Sequence, residues 1–134
     1  MSIDELKSTL ATEIRSVACE IEKGMIQRFV QAIDDSNPLW QVTAPPTLLL
    51  TMGIEQIQQL FTSSSSETFL LGSTELECYQ PVKPGDVLTV ASEITNIRER
   101  QGQMGKTAFI TFNSSFKNQR QELVAKCRQM IITY

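Results

Sequence analysis

The hydrophobic periodicity of the chain changes once, near Thr68, and this change limits the fold more than any other feature of the sequence. Before Thr68, apolar residues recur three or four positions apart, which is typical of helices with one buried face. After Thr68, they alternate with polar residues, which is typical of strands in a half-buried sheet. Helices followed by a run of antiparallel strands indicate an α+β fold.

Three helices are predicted in the first part of the chain. Their ranges are Ile3–Thr12, Glu22–Ile33 and Thr47–Phe61, and a short strand at Arg15–Ile21 separates the first two. In the third helix the segment Leu48–Ile54 is apolar on nearly every side, so other structure should enclose it. Pro46 fits the first position of this helix, because a proline there loses no helical hydrogen bond.

Four strands are predicted in the second part, with turns that contain glycine and proline between them. Their ranges are Thr68–Tyr79 with a break near Gly72, Asp86–Arg98, Lys106–Lys117 and Glu122–Tyr134. One long apolar helix followed by four strands predicts an antiparallel β-sheet wrapped around a long central helix. Since 134 residues is an ordinary length for one domain, we expect residues 1–134 to form a single domain.

The sequence contains no histidine, and this excludes several kinds of chemistry. Without a partner, the chain cannot form a Ser-His-Asp or Cys-His pair, a histidine-ligated metal site or a histidine general base. The three cysteines, Cys19, Cys78 and Cys127, are far apart and lack a CxxC spacing, so neither a zinc site nor a disulfide framework is indicated. We interpret all three as small buried thiols, and we expect no metal.

Charge and targeting signals narrow the class of protein further. The formal net charge is −3 and no stretch is rich in Lys and Arg, which argues against nucleic acid or an anionic membrane surface as a partner. The N-terminus, MSIDELKSTL, mixes charges into its first residues and lacks the apolar core of a secretory signal. No segment approaches the roughly 20 apolar residues that a membrane-spanning helix needs. We therefore expect a cytoplasmic protein.

Four segments of the chain follow one another in an informative order and spacing. They are EKGMIQRFVQAIDDSNPLW (Glu22–Trp40), APPTLLL (Ala44–Leu50), ECYQPVKPGDVLTV (Glu77–Val90) and NQRQELVAKCRQ (Asn118–Gln129). Together they resemble the MaoC-like dehydratases of the hotdog fold, in particular the N-terminal type of module in that family. From the first segment to the last, the resemblance spans about four fifths of the chain.

This resemblance implies a fold and an activity. The implied fold is a hotdog, a curved antiparallel sheet around a central helix, which works as a dimer or as two hotdogs fused in one chain. The active members add water to trans-2-enoyl thioesters or remove it from (R)-3-hydroxyacyl thioesters. CoA or acyl carrier protein carries the acyl group, and no other cofactor is implied.

The hydratase motif of the family reads GDxNPLH, and this chain departs from it at two positions. The corresponding stretch runs from Asp34 to Trp40, and Asp35 falls on the acid of the motif. The segment Asn37–Leu39 matches, but Asp34 replaces the glycine and Trp40 replaces the histidine. In the family, the Asp and the His orient and activate the water, so the departure falls on the residue that the chemistry needs most.

The physical cost of losing that imidazole is large. Hydration needs a base that takes a proton from water, an acid that delivers one and a dipole that stabilises the charge on the thioester oxygen. A tryptophan offers only a donor N–H. Because the loss of a positioned acid–base partner costs about 10²–10⁴ in rate, the chain alone is predicted to be a poor hydratase.

The candidate site residues follow from the motif and from the start of the third helix. The catalytic candidates are Asp35 and Asn37, with Glu55 as an alternative base or nucleophile. A helix N-terminus near Pro46 and Thr47 would direct N–H groups at a thioester carbonyl. Tyr79 and the Pro81–Gly85 turn are expected to shape one wall of a groove. The substrate-binding candidates are Trp40, Pro46, Thr47, Leu48 and Tyr79. Each of these candidates also has a purely structural explanation. The acidic loop at Asp34–Asn37 can serve only to turn the chain. Trp40 can serve only for packing, and Glu55 can be solvated or paired at an edge.

Three functions remain open from the sequence. The first is an acyl-thioester-binding, non-catalytic hotdog subunit of a two-component (R)-specific enoyl-CoA hydratase or 3-hydroxyacyl-thioester dehydratase, whose partner hotdog supplies the Asp/His pair. The second is a self-contained enzyme, either a homodimeric hydratase that uses Asp35 or a thioesterase that uses Glu55. The third is a binding or regulatory hotdog without turnover. A homodimer or higher oligomer is expected in each case, because a single hotdog leaves a strand edge uncovered.

Overall fold

A computed structural model describes residues 3–8, 13–52, 69–103 and 105–134 of the chain. Their helices are α1 (Ile3–Ser8) and α2 (Lys23–Ala32), and two 3₁₀ helices cover Pro38–Gln41 and Pro46–Thr51. The strands are β1 (Glu13–Glu20), β2 (Phe69–Cys78), β3 (Val87–Gly102), β4 (Gly105–Lys117) and β5 (Leu123–Thr133). None of the helices in these ranges is long and apolar enough to cross a membrane.

The five strands form one antiparallel sheet in the order β1-β3-β4-β5-β2. The helical first part and the strand-rich second part therefore agree with the α+β prediction, and each predicted strand is present with ends shifted by a few residues. The longest strand, β3, exceeds its prediction because the hairpin to β4 is tight and pairs Gly102 with Gly105.

The predicted break near Gly72 is confirmed as an irregularity in strand β2. The register against β5 shifts between Leu71 and Ser73. A Cβ atom on Gly72 would lie 3.0 Å from the Cδ1 of Ile132 and 3.0 Å from the Cε of Met130. The glycine therefore leaves room for two side chains of β5 that close over the irregular part of the edge strand.

One face of the sheet carries the core of the protein. Alternate residues of β3 and β4, such as Leu88, Val90 and Phe116, are fully buried there. The helix α2 adds Ile26, and the second 3₁₀ helix adds two leucines to the same cluster. The opposite face is polar over its middle, so the sheet is amphipathic as the alternation predicts.

The predicted central helix is described only at its start. Residues Pro46–Thr51 form a 3₁₀ helix, and Leu48 and Leu49 are each 2% exposed, which confirms the expected enclosure for these two residues. The rest of the predicted Thr47–Phe61 helix after residue 52, including Glu55, lies outside the described residues.

The interpretation of all three cysteines as buried is wrong for Cys78. The thiol of Cys127 is buried and that of Cys19 is half-buried, but Cys78 is exposed because it ends the edge strand β2, which has no neighbour on its outer side in the described sheet. The described residues contain no group of three side chains that could ligate a metal.

Candidate functional site

The loop that carries the family motif begins with a tight turn at the end of α2. The N–H of Asp34 donates to the carbonyl of Gln31 at 3.2 Å, and the N–H of Asp35 donates to the carbonyl of Val30 at 2.9 Å. These two bonds form a Schellman motif, which needs a left-handed residue in its middle. Asp34 occupies that position with a φ of 54°. An aspartate tolerates this conformation better than most residues, which explains how Asp34 replaces the glycine of the motif.

The carboxylate of Asp35 is held by its own loop. Its Oδ1 accepts a hydrogen bond from the N–H of Asn37 at 3.1 Å, and its Oδ2 accepts one from the ring Nε1 of Trp40 at 2.8 Å. The side chain of Asn37 in turn accepts from the N–H of Leu39 at 3.0 Å and caps the first 3₁₀ helix. The contacts of Asp35 and Asn37 are therefore those of a loop that turns the chain and caps a 3₁₀ helix, which is the structural alternative to a catalytic role.

A cavity of about 430 Å³ opens beside this loop. Its floor consists of buried residues from two segments of the chain, namely Ala44, Pro45, Leu49 and Val82. Its rim is formed by the side chains of Leu39, Trp40 and Tyr79, which are half-buried or exposed. The volume and the apolar floor are typical of sites that bind small organic ligands.

Two hydrogen bonds hold the walls of this cavity together. The N–H of Ala44 donates to the carbonyl of Val82 at 2.7 Å, and the hydroxyl of Thr43 donates to the same carbonyl at 3.1 Å. The segment after the motif is thereby fixed to the turn that follows β2. The PVKPGD segment thus contributes one wall through Pro81 and Val82.

The structure brings together three of the five predicted substrate-binding residues. Trp40, Pro46 and Tyr79 all line the cavity, whereas Thr47 is exposed, Leu48 is in the core, and neither of them lines it. The sequence reasoning missed Leu39, Cys78 and the floor residues Ala44, Pro45 and Leu49, whereas Pro81 and Val82 belong to the turn that it expected to form a groove wall. No local signal could have found the floor, since it depends on the contact between residues 44 and 82 across the fold.

The start of the second 3₁₀ helix offers little to a thioester carbonyl. Pro46 has no N–H, and the N–H of Leu48 donates to the carbonyl of Pro45 at 3.0 Å. The first turn therefore presents at most the N–H of Thr47 to a ligand.

Tyr79 at the rim of the cavity and the buried Cys127 are both held in their neutral forms. The hydroxyl of Tyr79 donates to Oε2 of Glu77 at 2.6 Å, and this hydrogen bond raises the pKa of Tyr79. Burial raises the pKa of Cys127, and the neighbouring Cys78 raises it further. Both groups therefore remain protonated near neutral pH.

A second cavity of about 490 Å³ lies over the polar face of the sheet. Charged side chains of β2, β3 and β5 surround it, and Arg128 binds Glu75 at 2.8 Å. Oppositely charged residues from neighbouring strands are typical of a solvated sheet face. We therefore place the candidate site in the apolar cavity beside the motif.

One protein-family model matches most of the chain. Residues 8–127 match the family model described as "FAS1-like, dehydratase domain region". The chain belongs to this dehydratase family. The chain is similar to a curated protein from Thermomonospora curvata that is named a probable enoyl-CoA hydratase alpha subunit. The two are 24% identical over 82% of this chain. The chain spans only 44% of the length of that relative.

Solved structures show the fold of this dehydratase-family chain. The ChsH1-ChsH2 complex from Mycobacterium tuberculosis contains a chain with a TM-score of 0.75 and 17% identity, with 98% of this chain and 92% of that chain covered. A MaoC-like dehydratase from Rhodospirillum rubrum has a TM-score of 0.72 and 20% identity, with 100% and 97% covered. The fold is thus a MaoC-like hotdog, which confirms the expectation from the motif segments.

Proposed function

We propose that this chain is the acyl-thioester-binding, non-catalytic hotdog of a two-component (R)-specific enoyl-CoA hydratase or 3-hydroxyacyl-thioester dehydratase. One observation carries the proposal: the indole N–H of Trp40 binds the carboxylate of Asp35 at the position where an active member has its imidazole. An indole nitrogen neither accepts nor releases a proton near neutral pH. The pair therefore keeps the geometry of the loop without the ability to transfer protons.

A partner hotdog supplies the missing acid and base in this proposal. The relative from T. curvata is named an alpha subunit, and the similar M. tuberculosis chain is part of a two-protein complex. Both names support a heteromeric assembly in which residues 1–134 form one hotdog domain. The exposed edge strand β2 gives such a partner a place to extend the sheet, and the same edge allows homo-oligomers of the isolated chain.

The remaining site candidates take roles in binding rather than in catalysis. Trp40, Pro46 and Tyr79 border the acyl group, while Thr47 and Leu48 hold the start of the second 3₁₀ helix in place. Asp35 and Asn37 shape the loop. CoA or acyl carrier protein is the carrier of the substrate, and no separate cofactor is required. The three free thiols fit a reducing cytoplasm.

The test is to co-express the chain with a histidine-containing hotdog encoded beside it and to measure hydration of crotonyl-CoA by the purified complex. We expect the complex to exceed the partner alone by at least tenfold. Asp35→Asn in this chain should leave turnover of the complex within about twofold, because no step passes through this carboxylate. A complex no more active than the partner alone would contradict the proposal.

If the chain is instead a self-contained enzyme, the isolated chain should be active without a partner. If the isolated chain turned over acyl thioesters rapidly, and if Asp35→Asn or Glu55→Gln abolished this turnover, the non-catalytic assignment would be wrong.

A further inference from the structure

We propose that one end of the outer face of the sheet, the face opposite to the core, binds an acidic amphipathic helix of a partner protein. The surface is a row of four side chains, Arg98, Phe109, Ile132 and Leu70, which we call the outer row, together with Arg100 beside it. Because this surface and the motif loop lie on opposite faces of the sheet, the inference does not depend on the proposed function.

The register of four neighbouring strands aligns the outer row. Arg98 on β3 pairs with Phe109 on β4, and Phe109 pairs with Ile132 on β5. Ile132 in turn pairs with Leu70 on the edge strand β2. Side chains at paired positions share one face of a sheet, and successive residues of a strand alternate between faces. Since Ala108 is buried in the core, the row that contains Phe109 points away from the core.

Three members of the outer row form a short apolar stripe. Leu70 is 51% exposed, and Phe109 and Ile132 are half-buried. Gly72 leaves room for Ile132 in this stripe, since a Cβ atom there would lie 3.0 Å from its Cδ1. Neighbouring strands are about 4.8 Å apart, and the pitch of an α-helix is about 5.4 Å. A helix that lies across the strands can therefore place one apolar side chain from each of three successive turns on the stripe.

Two exposed cations lie at the β3 end of the stripe. The guanidinium of Arg98 lies 5.3 Å from the ring centre of Phe109, so a cation–π contact holds it over the sheet. Arg100 follows two residues later on the same face of β3, about 6.6 Å further along the strand. Among the residues that the structure describes, neither arginine forms an ion pair with a carboxylate. Both guanidinium groups therefore keep N–H donors for a carboxylate of a partner.

The acidic residue between the two arginines does not cancel their charge. Glu99 pairs with the buried Ala108 and points to the opposite face of the sheet. There its carboxylate lies 3.4 Å from the Nζ of Lys7 and 3.1 Å from the Nζ of Lys106. The outer face of this hairpin is therefore positive, although the formal net charge of the chain is −3. Such a surface attracts carboxylates and repels cations.

The two parts of the surface together select one kind of partner. The apolar stripe gains free energy by burying aliphatic side chains, and the two cations bind carboxylates. An amphipathic helix whose apolar stripe ends in acidic residues satisfies both parts at once. A nucleic acid would use the cations but would leave Leu70 exposed to water.

The experiment measures binding of three labelled, stapled helices of about 14 residues to the full chain by fluorescence anisotropy. The first helix carries a stripe of leucines and two glutamates in its last turn, where the helix dipole adds to their negative charge. Lysines replace the glutamates in the second helix, and serines replace the leucines in the third. We expect the first helix to bind at least tenfold more tightly than either of the others, and its affinity to fall as the ionic strength rises. Equal binding of the three helices, or no saturable binding of the first, would overturn the inference.

Two matched pairs of substitutions locate the surface. Leu70 and Leu71 are adjacent on β2 and are 51% and 59% exposed, but they point to opposite faces. We expect Leu70→Ser to weaken binding of the acidic helix at least fivefold and Leu71→Ser to leave it within about twofold. Arg98→Gln should weaken binding about fivefold, whereas Arg120→Gln removes a cation that is paired with Glu122 elsewhere and should leave binding unchanged. All four side chains are exposed, so the variants should fold. Equal effects of the two leucine variants would place the helix elsewhere and refute the inference.

Two other occupants of this surface would give different results. If a second copy of the chain covers the outer row, Leu70→Ser should dissociate an oligomer in sedimentation experiments, and the acidic helix should not bind. If the surface is a general site for anions, a single-stranded oligonucleotide should displace the acidic helix, and Leu70→Ser should have no effect on binding. Either result would overturn the inference.

Discussion

Two turns of this molecule contain the same arrangement around an aspartate. In the motif loop, Asp35 follows a residue with a φ of 54°, and in the turn before β3, Asp86 follows Gly85, whose φ is 93°. One carboxylate oxygen of Asp35 accepts from a backbone N–H and the other from a side-chain N–H. Asp86 does the same, with the N–H of Lys83 at 2.9 Å and the side-chain amide of Gln119 at 3.1 Å.

The two turns differ in what the second oxygen reaches. The partner of Asp86 is 33 residues away, on the turn between β4 and β5, and the side chain of Gln119 also accepts from the N–H of Val87 at 3.1 Å. The partner of Asp35 is the nearby Trp40, which borders the apolar cavity. Asp86 thus joins two distant turns, whereas Asp35 organises one loop. An aspartate in a family motif can hold a turn by these bonds alone, and in the proposed function the residue at position 40 determines whether it can also move protons.

The largest expected effect is a gain in hydratase activity in Trp40→His. This substitution places an imidazole beside the carboxylate of Asp35, whereas Asp86 keeps only amide partners. The five-membered ring of a histidine can overlie that of the indole, so its Nε2 would lie near the present Nε1, 2.8 Å from Oδ2 of Asp35. We expect the variant to hydrate crotonyl-CoA about 10²-fold faster than the unmodified chain, the lower end of what a positioned acid–base pair contributes. Initial rates of the purified proteins measure this.

The control for this variant is the double substitution Trp40→His with Asp35→Asn, which keeps the ring and removes the carboxylate. Its rate should return to that of the unmodified chain. If the double variant is as fast as the single one, the carboxylate–imidazole pair is not the source of the gain.

The second prediction compares the stabilities of the two turns. We expect Asp86→Ala to lower the free energy of unfolding by about 3 kcal/mol, because it removes two charge-assisted bonds, one of which joins turns that lie far apart in sequence. Asp35→Ala should cost about 1–2 kcal/mol, since its bonds are local. Urea unfolding followed by far-UV circular dichroism measures both. If Asp35→Ala lowered the free energy of unfolding more than Asp86→Ala, the bonds of the motif loop would contribute more to the stability of the fold than those of the turn before β3.

Much of the fold could be predicted because it depends on local patterns. The strands β3 and β4 were predictable from the alternation of apolar and polar residues. The irregularity in β2 was predictable from a single residue, Gly72. The exposure of Cys78 was not predictable in the same way, because it depends on where β2 lies in the sheet order.

The site was only partly predictable for the same reason. The sequence indicates Asp35 and Trp40 through the motif, but it does not show that the indole N–H would bind the carboxylate. The contact between Ala44 and Val82, which closes the cavity floor, joins segments that no periodicity connects. Motif reasoning identifies residue types, and the tertiary contacts determine what they do.

The third prediction is a pH dependence that only the motif loop can acquire. The natural sequence has no histidine, so Trp40→His introduces a single imidazole with an unambiguous NMR signal. The Asp35 carboxylate should raise the pKa of this imidazole above its ordinary value of about 6.5. The added stability should be complete below pH ~6.5 and should disappear as the pH rises through the folded-state pKa. An imidazole pKa at or below that of the Trp40→His, Asp35→Asn double variant would show that the two side chains do not interact.

The smallest expected effects concern the residues that precede the two aspartates. A Cβ atom on Gly85 would meet nothing within 4 Å, so Gly85→Ala should cost about 1–2 kcal/mol through backbone strain at its φ of 93° alone. At Asp34 the reverse substitution, Asp34→Gly, should change stability by less than about 1 kcal/mol, because an aspartate already tolerates a φ of 54° and glycine adds freedom to the unfolded chain. Thermal unfolding of both variants measures the difference. If Asp34→Gly stabilised the protein by more than Gly85→Ala destabilised it, the motif loop would be the more strained turn, and its aspartate would be kept there for a reason other than turn formation.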